Sequence, residues 1–233
     1  MQIVLVPGLW LNASTWDAVV PLLVAAGHTA HPLTLPGMEG KDADRSGITL
    51  ADHVDAVVAA VDAAYDAGGP VLLVSHSAGC GIAHCATDAR PDKVARQVHV
   101  GGFPSAEGET LLSGLPAEDG EVPMPDWKEM GEEANVRDFT EEQLAAFYAA
   151  AIPVPEQVIT TPVQLADERR YEVPATEVCP EYSAADLREW VAGGHLPELA
   201  QVKDVEYVDL GGGHWPQVTR PKSLAKTILD AAR

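Results

Sequence analysis

Cysteine, aromatic side chains and positive charge are all scarce in this chain of 233 residues. Three cysteines, Cys80, Cys85 and Cys179, are too few and too scattered for a disulfide framework or a zinc spacing. A reducing cytoplasm is the simplest compartment that fits. Lys and Arg number only 15 against 35 Asp and Glu, a formal net charge of -20. A phosphate backbone needs fields of basic residues, so nucleic acid is excluded as a partner, and anionic membranes with it. No apolar run approaches the roughly 20 residues that span a bilayer. The chain opens on Ile3-Val4-Leu5-Val6-Pro7 with neither a basic start nor a long apolar segment, so no signal peptide is expected. There is no His-Glu-x-x-His, no phosphate-binding loop and no dinucleotide fingerprint, so neither a metal nor a cofactor is called for.

What is present is an alternation. Short runs rich in Val, Leu and Ile at 2–6, 29–35, 70–75, 96–102, 174–179 and 204–210 read as strands buried on both faces. Amphipathic helices lie between them. Ser14 with Asp17 predicts a helix running to Gly27; Thr49 with Asp52, and Ser183 with Asp186, predict two more, each opened by a capping box. Pro221 marks the first turn of the last helix. Strand and helix in turn predict an α/β fold: about six mostly parallel strands with helices on both faces. Residues 104–172 break the rhythm. They are rich in proline and hold 16 acidic and 4 basic residues, which is -12 of the -20. They read as an acidic, mainly helical cap, with Thr140 and Gln143 opening one helix, inserted into a core formed by 1–103 and 173–233.

The chemistry gathers at strand ends. Val71-Leu72-Leu73-Val74-Ser75-His76-Ser77-Ala78-Gly79 is a buried strand, a tight turn and a helix of small residues. That context holds a nucleophilic serine at the apex of a strained turn, although Ser75 stands where the usual pattern has glycine. The alternative is an ordinary strand–helix turn with a serine cap. A serine hydroxyl needs a base. The last strand is followed by Gly211-Gly212-Gly213-His214-Trp215, which puts His214 at the tip of a loop at the same sheet end; the alternative is a surface histidine. Two main-chain N–H groups must face the developing oxyanion. Ala78, just after the serine, and Leu9, in Pro7-Gly8-Leu9-Trp10, are the candidates, though the second stretch also reads as a plain turn. Trp10, Trp127 and Trp215 are candidates for an apolar substrate pocket, with burial inside the cap as the other reading for Trp127.

In this order the pieces resemble the α/β-hydrolase superfamily, and within it the compact plant methyl esterase and hydroxynitrile lyase branch. Pro7-Gly8-Leu9 with Trp16, Ser75-His76-Ser77-Ala78-Gly79, and Gly213-His214 carry the resemblance. It implies a catalytic acid after the strand at 174–179, where the sequence reads Cys179-Pro180-Glu181-Tyr182. Related esterases have an aspartate about where Tyr182 stands. Glu181, one residue earlier with a longer arm, is therefore the expected acid, with Glu107 and Glu109 in reserve. The resemblance implies a serine hydrolase that cleaves a small, mostly apolar ester or lactone through an acyl-enzyme, as a monomer or homodimer. A small-molecule receptor on the same fold is the alternative. A lyase is disfavoured, because Leu9 and Trp215 occupy the places of that activity's threonine and lysine.

Overall fold

The computed structural model describes residues 1–233. In chain order the strands are β1 (Gln2–Val6), β2 (Thr29–Pro32), β3 (Val71–His76), β4 (Val94–Val100), β5 (Glu121–Val122), β6 (Val154–Pro155), β7 (Ala175–Cys179) and β8 (Val205–Asp209). Six of them form one parallel sheet in the order β2-β1-β3-β4-β7-β8. β3 lies in its middle and every residue of it is buried, as its unbroken apolar run requires. β5 and β6 pair with each other, antiparallel and apart from the sheet.

Successive side chains of a strand point to opposite faces, and the core divides accordingly. Val4, Val6, Val71 and Leu73 pack under α2 (Leu50–Gly68) and α3 (Gly79–Ala89). Ile3, Leu5, Leu72 and Val74 pack with Leu23 of α1 (Val20–Ala25) and with Leu224 and Ile228 of the C-terminal helix (Pro221–Ala231). The capping boxes at Thr49, Thr140 and Ser183 all form.

Four expectations need correction. The helix opened by Ser14 is instead a 3-10 turn at Ala13–Trp16 followed by α1. Its cap is Asn12, whose Oδ1 accepts from Ser14 N at 3.0 Å. A continuous helix would put Pro21, which has no N–H, in its interior. β2 stops at Pro32 because the chain leaves the edge after Leu33, and the Thr34 hydroxyl accepts from Ala13 N. β4 ends at Val100, not 102; the Val100 carbonyl accepts from Ser77 N at 2.9 Å, so the strand gives way to the serine turn. Finally, the insertion between β4 and β7 is less helical than its sequence suggests. It contains α4 (Glu133–Val136), α5 (Glu141–Ala150), α6 (Glu156–Thr160), a 3-10 turn at Glu168–Glu172 and the β5–β6 ribbon, with long proline-bearing loops between them. The loops draw their order from distant partners. Trp10 Nε1 donates to Val122 O at 2.9 Å and Ile152 N to Trp10 O at 2.9 Å.

Candidate active site

Ser77 sits between β3 and α3 with φ of 53°. Non-glycine residues avoid that region, and in the whole chain only Trp10, Ser77 and Asp119 enter it. Strain of this kind persists where the surroundings over-determine the backbone. Here Ser77 N is held by Val100 O, and Ser77 O receives Cys80 N at 2.9 Å.

His214 follows β8. Its Nε2 lies 2.8 Å from Ser77 Oγ and its Nδ1 2.6 Å from Glu181 Oε1. Nδ1–H donating to the carboxylate leaves Nε2 free to accept the serine hydroxyl proton. The His214 and Glu181 side chains are 14% and 16% exposed, so the pair is largely shielded from water. Glu107 and Glu109 are engaged elsewhere, accepting from Leu165 N and Ala106 N. Asp186 is bound to the Ser183 cap. Tyr182 turns its ring toward Phe103 and Trp190, with centroids 5.5 and 5.1 Å away.

Leu9 and Ala78 N–H have no acceptor within the protein. Both main chains border Ser77, Ala78 as its neighbour and Leu9 next to Gly8. Gly8 is required by close packing: a Cβ there would lie 2.5 Å from His76 Nδ1 and 3.2 Å from Ser77 Cβ. Trp10 and Trp215 are almost wholly buried, at 4% and 2% exposure. Trp127 of the insertion lies between them, 5.7 Å from each by ring centroids. Trp215 also meets the His214 ring edge-on at 4.9 Å. The three tryptophans therefore form one packed aromatic cluster between the loops that carry Leu9 and His214.

The sequence did not point to two further groups. His76 Nε2 donates to His214 O at 2.8 Å, linking the serine turn to the histidine loop. Burial, and then the neighbouring His214, hold His76 well below the usual histidine range, so it stays neutral. The other group is Asn135–Asp138, which bonds to the histidine loop from the insertion. Arg137 stands out only as one of four basic residues in an acidic stretch.

The fold defines a class of protein. The model of the alpha/beta hydrolase family matches residues 3–227, and the chain belongs to that family. A pyrethroid hydrolase of Sphingobium wenxiniae is 26% identical over 246 residues, covering 99% of this chain and 87% of the relative. An extracellular alpha/beta-hydrolase from a Paenibacillus species superposes with a TM-score of 0.78 at 20% identity, covering 99% and 98% of the two chains. A methylesterase from Arabidopsis superposes with a TM-score of 0.72 at 18% identity, covering 100% and 98%. At such identities these structures share the fold. No helix is long and apolar enough to cross a membrane.

Proposed function

We propose that the protein is a serine esterase acting on small, mostly apolar carboxylic esters or lactones. The observation that carries this reading is the unbroken line Ser77 Oγ–His214 Nε2 and His214 Nδ1–Glu181 Oε1, at 2.8 and 2.6 Å. Relatives named pyrethroid hydrolase and methylesterase support an ester as substrate.

Ser77 Oγ attacks the ester carbonyl carbon as its proton passes to His214 Nε2. The carbonyl oxygen becomes an oxyanion and accepts the Leu9 and Ala78 N–H groups, whose lack of internal partners fits that task. The tetrahedral adduct collapses, the carbon–alkoxy bond breaks, and His214 returns the proton to the leaving alcohol. Water then gives a proton to His214 and attacks the acyl-enzyme. Collapse of the second adduct releases the carboxylic acid and restores Ser77. Glu181 orients the imidazole and stabilises its cationic form. Trp127, half-buried beside the buried Trp10 and Trp215, is the one of the three with surface left to meet an apolar acyl or alcohol group, and a difference of one methylene in such a contact changes preference by about 1–3 kcal/mol.

Hydrolysis of short p-nitrophenyl esters by the wild type, Ser77→Ala and Glu181→Ala tests this. The wild type should turn over, Ser77→Ala should fall to background, and Glu181→Ala should lie between. Wild-type turnover no greater than that of Ser77→Ala on any ester would sink the esterase and leave the receptor reading in its place.

A further inference from the structure

The loop Gly211–Gly213 presents the base, yet it has no side chains with which to hold itself. Beyond Gly211, whose N–H bonds Cys179 O, the main-chain hydrogen bonds of Gly212, Gly213 and His214 go to only two places. One is His76. The other is a four-residue piece of the insertion. His214 N donates to Asn135 O at 2.8 Å, Gly213 N to Asp138 Oδ2 at 2.8 Å, and Arg137 Nε to Gly212 O at 2.5 Å. Arg137 also extends an Nη toward Pro180 O at 3.5 Å, the residue before Glu181. Arg220 holds the Asp138 carboxylate in place from the other side at 2.7 and 3.2 Å.

The packing is as close as the polar contacts. A Cβ on Gly213 would lie 2.6 Å from Asn135 O, so only glycine lets the two main chains meet. Val136, fixed in the same apolar cluster as Trp215, anchors the segment from below. The peptide of His214 is thus gripped at its N–H by the insertion and at its carbonyl by the serine turn.

We propose that Asn135–Asp138 is a positioning segment for His214, and that Arg137 ties the loop of the base to the loop of the acid. The Ser77–His214–Glu181 line is then complete only while the insertion is seated on the core. This rests on the reading of His214 as the general base. Arg137 touches no reacting atom and acts through the two loops. A displacement of about 1 Å in a base costs on the order of a hundredfold in rate, so the hold matters at small amplitude.

The test compares wild type, Arg137→Ala, Arg137→Lys and Asp138→Asn, each checked for folding by circular dichroism. The first readout is kcat and KM on p-nitrophenyl acetate. The second is the low-field proton resonance of the hydrogen bond between His214 Nδ1 and Glu181. For Arg137→Ala, kcat should fall about tenfold to a hundredfold with KM nearly unchanged, the mark of a contact that serves the transition state. The low-field resonance should broaden or vanish. Arg137→Lys should recover part of both, since one ammonium reaches a single carbonyl where the guanidinium spans two. Asp138→Asn should move both readouts less but in the same direction, and it carries the test should Arg137→Ala not fold. Unchanged kcat and an unchanged resonance in the folded variants would overturn the proposal. Should Ser77→Ala turn over like the wild type, the catalytic reading fails, and the resonance still decides whether Arg137 holds His214 against Glu181.

Discussion

A carboxylate one position ahead of where related esterases place theirs can still meet the histidine, because glutamate carries one more methylene. Glu181 reaches His214 Nδ1 at 2.6 Å with its second oxygen buried and without a partner, so no other side chain draws the carboxylate away from the imidazole. Glu181→Asp withdraws the carboxylate by about one bond, ~1.5 Å. Its kcat on p-nitrophenyl esters should fall about tenfold or more with KM held. At His76 the argument concerns the main chain. Nε2–H is the donor to His214 O, and Nδ1 faces Gly8 with no partner. His76→Phe leaves that carbonyl without its donor and should cost about 1–3 kcal/mol. Urea unfolding reads this as a lower midpoint at an unchanged slope.

At the scale of elements, the sequence was most legible where order is local. β3 announces itself by an unbroken apolar run, and the helices at Leu50, Glu141 and Ala184 by side chains that bond three residues away. Ser77 and His214 were legible as candidates because each follows a strand, and the strands of a parallel sheet end on one side. The insertion was less legible because its order is not periodic. β5 and β6 are two residues each, and Arg137, Asp138 and Arg170 meet partners 28 to 82 residues away. The one clue was the rarity of cations there. Arg170 shows what such a cation does: it bonds Glu198 at 2.6 Å and Asp88 at 3.2 Å, all three nearly buried, with His84 on the same carboxylate at 2.8 Å. Asp88 in turn accepts from Ala166 and Asp167 N, which fixes the end of the insertion against α3. Arg170→Ala removes the cation that two nearly buried carboxylates share and should destabilise by about 3–5 kcal/mol, measurable by chemical denaturation.

Over the whole molecule, a formal charge of -20 is a standing repulsion. Salt shortens the reach of that repulsion to about 10 Å at 0.1 M, so the melting temperature at pH 7 should rise as sodium chloride is added. Acid works through groups whose folded pKa is depressed. Burial holds His76 and His53 below 6.5, so the unfolded chain takes protons there that the folded chain refuses. Their contribution is whole above 6.5 and is lost as pH falls toward the folded values. His76→Phe should therefore show a flatter loss of stability than wild type between pH 6.5 and 5. Asp138, held below 3.8 chiefly by Arg220, keeps its share until pH falls below 3.8. Topology sets another timetable. Ser77 and His214 are 137 residues apart in the chain, with the whole insertion and three sheet strands made between them. Contacts that far apart form late and slowly. During synthesis β1, β3 and β4 can pair while β8 is still unmade, so a nascent chain stopped short of Gly213 would carry a sheet and a bent serine turn but no His214. The proposed line from Ser77 to Glu181 closes only after β8 and the glycine loop behind it have been made.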